Sequence, residues 1–169
     1  MHDATNNPFW SYSLTQYQRS DVAHWCLHSQ DIHGLDVNLI LFACWLSELG
    51  VRIDDSIFCF RPISVLQQEL IEPLRMLRNA LKAPSQKQTQ VYHWREQVKQ
   101  LELSAERIEQ DWLYAWSQQQ AKSTESVIEL RKLNLSWVWR LGKDAADGTA
   151  EQAWIEATLR CFYPPHGEC

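Results

Sequence analysis

Apolar residues recur every three or four positions along most of the chain, which is the spacing of one face of an α-helix. The segment from Asp36 to Leu49 differs, because its apolar side chains point in every direction around the helix axis. A helix that is apolar on all sides is normally buried on all sides. The sequence therefore predicts an all-α fold, an irregular bundle of about seven or eight helices around a buried central helix, Asp36–Leu49.

Several helix ends are marked by residues with a local physical reason to be there. Asn7, followed by proline, is typical of a first helical turn, and Asp36 is placed to cap the central helix. Gly34 ends the preceding helix, since glycine enters the left-handed conformation without a steric cost. Ser20 and Thr149 are the predicted caps of the second and the last helix.

A helix with a leucine stripe is predicted to end near Lys82. The stripe consists of Leu66, Leu70, Leu74, Leu77 and Leu81. Pro73 falls within this helix and cannot donate to the carbonyl of Glu69, so a kink or break is expected there.

The longest predicted helix runs from about Gln90 to Gln119. Its apolar residues alternate spacings of three and four: Val91, Trp94, Val98, Leu101, Ala105, Ile108, Trp112 and Ala115. This 3.5-residue repeat is the pattern of a coiled-coil-like seam. The end that carries Trp112 and Trp116 is expected to project, and to be covered by the C-terminal helices, by a second copy of the chain or by another protein.

Bulk composition excludes several classes of protein. At 169 residues the chain fits one helical domain, 1–169, with loose termini at 1–6 and 163–169. The net charge of −5 makes binding to nucleic acid unlikely, and the longest apolar run, Leu39–Leu46, is too short to span a membrane. The N-terminus lacks the pattern of a signal peptide. Five widely spaced cysteines without a Cys-x-x-Cys pair indicate reduced thiols and a cytoplasmic location.

His33, Asp36 and Asn38 form a candidate polar pocket at the turn before the central helix. Such a cluster could bind a ligand or exchange protons. The structural alternative is favoured: His33 lies near its own helix C-terminus, Asp36 caps the next helix and Asn38 is a buried polar group.

A metal site is weighed at His24, His28 and Asp31, which share one face of the second helix. Two histidines four residues apart can chelate a metal ion, and a carboxylate could be a third ligand. No glutamate follows the first histidine, as the metalloprotease motif requires, and the favoured interpretation is a solvated face. The sequence predicts no metal and no cofactor.

Two further surfaces are candidates for interaction. Arg75, Arg78 and Lys82 form a candidate basic stripe, although a solvated helix face is the favoured interpretation. Nine tryptophans are many for this length, and they suggest a tryptophan-rich core, an aromatic-lined ligand cavity or an aromatic interaction surface. The candidate aromatic surface consists of Trp112, Trp116, Trp137 and Trp139.

Three stretches resemble an uncharacterised proteobacterial family, the domain of unknown function 2390. They are QDIHGLDVNLILFACW (30–45), EPLRMLRNALK (72–82) and VKQLELSAERIEQ (98–110), and the resemblance extends over about Phe9–Trp116. It implies a bacterial, cytoplasmic, helical protein and assigns no catalytic residue.

No motif in the sequence defines a molecular activity. The leading hypothesis is a non-enzymatic cytoplasmic interaction or adaptor protein, whose partner is a second copy of the chain or another cytoplasmic protein. The alternative is a helical protein that binds a small molecule in an aromatic and polar pocket. The third hypothesis is an enzyme whose site is assembled from distant residues and leaves no local motif.

Overall fold

The computed structural model describes residues 7–164, and that part of the chain folds into helices without any β-strand. The helices are α1 (Pro8–Tyr17), α2 (Ser20–His33), α3 (Val37–Glu48), α4 (Ser56–Phe60), α5 (Ile63–Leu66), α6 (Glu72–Ala80), α7 (Lys82–Ser85), α8 (Thr89–Ser117), α9 (Val127–Trp139) and α10 (Gly148–Phe162). A π-helical turn, Gln67–Ile71, joins α5 to α6. The predicted all-α fold is confirmed.

The chain forms two compact units. The first contains the residues up to Asp54 together with those from Tyr114 onward, and the second contains Asp55–Leu113. The boundary falls within α8, so that helix belongs to both. The sequence predicts one domain of residues 1–169, and the structure distinguishes these two units within it.

The first unit is built around α3, on which α1, α2 and α9 pack, while α10 packs on α2 and α9. Every residue of α3 from 38 to 47 is buried, so the predicted central helix is confirmed. Aromatic rings fill the space beside it: Phe42 meets Phe9 at 5.0 Å and Trp116 at 6.1 Å between ring centroids. Edge-to-face contacts of this kind add to the burial of apolar area.

One buried amide joins α9 to α3 and to the segment after it. The Asn134 side chain donates to the Ser47 hydroxyl at 3.0 Å and to the Val51 carbonyl at 2.9 Å, and it accepts from the Ile53 amide at 2.9 Å. Buried polar groups are tolerated when they are hydrogen-bonded in this way.

Three of the predicted helix ends are confirmed. The Asn7 side chain accepts from the Trp10 amide, the Asp36 side chain caps α3, and Gly34 ends α2 with a φ of 67°. The two remaining caps are wrong. Arg19 occupies the N-cap of α2 in place of Ser20, and the Asp147 side chain caps α10 in place of Thr149.

The cap at Asp36 gives a direct stability prediction. Its carboxylate accepts from the amides of Asn38 at 2.8 Å and Leu39 at 3.2 Å. Asp36→Ala is expected to lower the free energy of unfolding by about 1 kcal/mol, because two amides of the first turn lose their acceptor. Chemical denaturation measures this, with Asp36→Ser as the control that keeps a capping oxygen. Equal losses in both variants would contradict the capping role.

In the second unit, the chain is irregular where Pro73 falls. The π-helical turn Gln67–Ile71 immediately precedes α6, and the amide of Glu72 donates to the carbonyl of Gln67, five residues back. Pro73 then occupies one of the first two positions of α6, where its missing N–H is tolerated. The sequence predicts a kink or break at Pro73; the structure has a π-bulge there, within a helical segment that is continuous from 63 to 80.

The predicted loose termini, 1–6 and 163–169, lie outside the described residues apart from Tyr163 and Pro164. Tyr163 is held in place, so that prediction is wrong for this residue. The Arg131 guanidinium lies 3.5 Å from the centroid of its ring, and its hydroxyl donates to the Cys44 carbonyl at 3.3 Å.

The cysteines of the described chain are free, and their burial predicts how they react. Burial raises the pKa of Cys26 to about 12 and also raises the pKa of Cys44, whereas Cys59 is exposed. Thiolate is the reactive form, so at pH 8 iodoacetamide is expected to label Cys59 first and the two buried thiols only after denaturation. Peptide mapping by mass spectrometry measures the order. If Cys26 is labelled as fast as Cys59 in the native protein, Cys26 is not buried in the core as described.

Candidate interaction site

The second unit contains an antiparallel helix pair, formed by the π-helical turn and α6 against α8. Gln67, at the start of the π-helical turn, donates to Glu109 in the second half of α8 at 2.6 Å. Eight residues later, Arg75 contacts Glu102, which lies seven residues before Glu109. Contacts that advance along one helix and retreat along the other require the two to run in opposite directions.

Ionised side chains make the polar contacts between the two helices of this pair. The Arg75 guanidinium lies 3.3 Å from Glu102 and 3.1 Å from Glu106, and Arg78 contacts both carboxylate oxygens of Glu102. These four residues are called the Arg–Glu cluster. Glu102 is only 4% exposed, and its charge is stable there because it is paired with two arginines. Glu109, two turns further along α8, is fully buried and accepts from Gln67.

The Arg–Glu cluster corrects the predicted basic stripe of Arg75, Arg78 and Lys82. The two arginines are half-buried and bound to carboxylates of α8, and Lys82 alone is exposed. Hydrogen bonding to Glu102 also raises the pKa of Arg78, so its positive charge is held in place by the ion pair. Phosphate or an acidic partner therefore does not find a row of free cations here.

Part of each apolar stripe lies outside the interface. Trp94 is 50% exposed, Leu101 is 59% exposed and Ile108 is 43% exposed, and on the other helix Leu70 and Leu77 are exposed as well. These five residues are called the apolar face. The predicted seam of α8 is therefore wrong at three of its positions, and the leucine stripe is wrong at two. The buried side of α8 carries Glu102 and Glu109, which meet the arginines and the glutamine of the other helix, together with Val91 and Ala105 of the predicted seam.

Helix geometry places all five residues on one side of the pair. Arg78 and Glu102 face the partner helix, and each directly follows an exposed leucine, Leu77 or Leu101. Consecutive residues are rotated by about 100° around the helix axis, so each leucine is rotated by this angle away from the partner helix. The other members lie seven residues from these and share their direction. In an antiparallel pair, the same rotational offset on both helices points to the same side. The apolar face is therefore one surface, built by two helices.

The predicted aromatic surface is not a surface. Trp116, Trp137 and Trp139 are almost fully buried, and Trp112 is half-buried. Trp139 packs 5.6 Å from Trp154, and Trp116 packs on Phe42. The tryptophan-rich core is correct for these residues. Trp94, which the sequence pattern places in a packed seam, is instead half-exposed.

The candidate polar pocket consists of separate structural contacts. His33 Nδ1 lies 2.7 Å from Asp144, and its ring packs 4.9 Å from Trp139. Asp36 is occupied in capping α3, and Asn38 is buried at the start of that helix. The three residues are neighbours in the sequence, but each makes its own structural contacts within the first unit.

The candidate metal ligands lie on α2. His24, His28 and Asp31 are exposed, and the ring of His28 packs 5.7 Å from Trp25 and 6.4 Å from His33. Within residues 7–164, no group of three or more His, Cys, Asp or Glu side chains is arranged to hold a metal ion. His24, His28 and Asp31 are therefore not brought together as a group of three ligands.

A shallow depression borders the apolar face on α8. Its lining residues are His93, Glu96, Gln97, Gln100, Leu101 and Ser104. All six come from one helix, so the depression is an open side of α8 and not an enclosed cavity of the kind that buries a small molecule. Over the described part of the chain, none of the helices combines the length and the hydrophobicity needed to cross a membrane.

Together the fold and this site define an all-α protein with a pair of helices that are joined by ion pairs and expose an apolar face on their outer side. The model of a family described as "Protein of unknown function (DUF2390)" matches residues 8–113, which is more than half of the chain, and the protein belongs to that family. The match covers α1 to α7 and most of α8, including the whole apolar face. No curated protein and no solved structure matches the chain significantly.

Proposed function

We propose that this protein is a non-enzymatic interaction protein of the bacterial cytoplasm, and that it binds another polypeptide through the apolar face. The single observation that carries the proposal is the exposure of Trp94, Leu101 and Ile108 in one row on α8. An exposed row of this kind ranks with the largest apolar patches of a monomer, which are often functional, and tryptophan is enriched at the energetic centres of protein interfaces.

The chemistry of the apolar face favours a protein partner over a small molecule. The side chains stand at seven-residue intervals along two helices, so they form ridges to which another helix can pack. A small ligand needs a concave site, and the depression beside Leu101 is formed by one helix alone. The free cysteines support a reducing compartment, and the family resemblance supports a bacterial source.

Site-specific photocrosslinking tests the proposal. A benzoylphenylalanine is introduced at Leu101, on the apolar face, or at Leu103, which is also exposed on α8 but points about 160° away. We expect irradiation in cells to give a discrete protein adduct from position 101 and none from position 103. The same adducts from both positions, or none from position 101, would contradict a docking role for the apolar face.

A further inference from the structure

We infer that the occupant of the apolar face is a second copy of this chain, so that two α6–α8 pairs form a four-helix arrangement about a two-fold axis. This inference rests on the proposed function, since it names the partner of the same surface. Three properties of the apolar face carry it: its area, its lack of charge and its symmetry of construction.

The area is sufficient for a dimer. The exposed parts of Leu70, Leu77, Trp94, Leu101 and Ile108 amount to on the order of 450 Å² of apolar surface in each chain. That lies within the range of the largest apolar patch on a typical monomer, roughly 300–600 Å², where such patches are often functional. Two copies would cover about twice this area with these side chains alone, and the surrounding rim brings the total toward the roughly 1,200–2,000 Å² of a stable interface.

The rim of the apolar face carries little charge at its centre. Helix geometry places Pro73 and Ala80 at its outer edge on α6, and Gln97 and Ser104 at its outer edge on α8. The next position of that row on α8 is Asp111, which is paired with Arg107. The chain as a whole has a net charge of −5, so two copies repel each other weakly over most of their surface, and the uncharged centre of the rim is where this repulsion is least. Selection of a different helix usually relies on complementary charges beside the apolar row, and here the arginines and glutamates that could serve are used inside the pair.

The construction of the surface is also suited to a two-fold axis. Leu70 and Leu77 on one helix, and Trp94, Leu101 and Ile108 on the other, give two nearly straight rows at the same seven-residue interval. When two such surfaces meet about a two-fold axis, each row of one chain packs against a row of the other. The pair then becomes a bundle in which the Arg–Glu cluster lies within each hairpin and the apolar face lies between them.

Sedimentation equilibrium of the full chain between about 1 and 100 µM tests the inference. We expect the wild-type protein to show twice the chain mass of 19.9 kDa. Leu101→Glu is expected to raise the dissociation constant of the dimer at least about 100-fold, since it buries an unpaired charge at the centre of the interface. Leu103→Glu, on the other side of α8, is expected to leave the constant unchanged.

Leu77→Glu is a second variant on the other helix of the apolar face, and circular dichroism reports whether each variant is folded. Folded monomers from both variants support the inference. A wild-type chain that is monomeric throughout, or a Leu77→Glu chain that stays dimeric, overturns it. If the wild type is monomeric and the Leu101 crosslinker captures a different polypeptide, the second-copy inference fails while the proposed function stands. If it is monomeric and captures nothing, both fail.

Discussion

Replacing Trp116 by alanine is expected to lower the free energy of unfolding by about 3–5 kcal/mol, because it leaves a large cavity in the core of the first unit. Trp116 is 1% exposed and its ring packs edge-to-face on Phe42 of the central helix. Thermal and chemical denaturation measure the loss. A loss of this size is a large fraction of the roughly 5–15 kcal/mol that stabilises a typical domain, so the midpoint of thermal unfolding should fall by many degrees.

The control for Trp116 lies on the same helix. Leu103→Ala removes an exposed side chain outside the apolar face, and it is expected to change the free energy of unfolding by no more than about 0.5 kcal/mol. If Trp116→Ala instead unfolds like the control and changes only the mass in solution, Trp116 belongs to an interface and the core described above is wrong.

Replacing Glu102 by alanine is expected to cost about 3 kcal/mol. Glu102 is almost fully buried and accepts from both Arg75 and Arg78, so its removal leaves two partly buried guanidinium groups without their shared carboxylate. Both arginines retain some contact with water, which places the cost at the lower end of the range for a broken buried pair.

Two further variants separate the charge of Glu102 from its shape. Glu102→Gln keeps the volume and one acceptor oxygen, and it should retain part of the lost stability. Lys99→Ala, an exposed site on the same helix, is the matched control and should be nearly neutral. Denaturation midpoints that are equal for Glu102→Ala and Lys99→Ala would contradict a structural role for the Arg–Glu cluster.

The parts of the fold that the sequence predicts correctly depend on neighbouring residues. Asn7, Gly34 and Asp36 mark helix ends because a cap or a left-handed turn is a property of a few consecutive residues. The central helix is evident because it is apolar on every side, whatever packs against it. Ser20 and Thr149 fail as caps because a neighbouring residue takes the N-cap position in each case, and boundaries are the least certain part of such patterns.

The orientation of α8 could not be predicted from its periodicity. A 3.5-residue repeat defines which side of a helix is apolar, but burial depends on what the neighbouring helix offers. Here the neighbour offers Gln67, Arg75 and Arg78, which pair with carboxylates of α8 over more than 20 residues of sequence separation. The sequence contains one indication of which side of α8 meets α6, namely a row of glutamates on α8 and a row of arginines on α6. Each row by itself is equally typical of a solvated helix face.

The central claim is that ion pairs join α6 to α8 while the row of Trp94, Leu101 and Ile108 lies outside, and that this outer side is covered by a second chain. Hydroxyl-radical footprinting of the tryptophans tests both halves in one measurement. We predict that Trp94 is oxidised much faster than Trp116 in the Leu77→Glu chain, and that in the wild-type chain Trp94 becomes protected as the protein concentration rises. The contradicting result is that Trp94 is oxidised as slowly as Trp116, both in Leu77→Glu and at every concentration of the wild-type chain. It would mean that Trp94 and the apolar row of α8 pack inward.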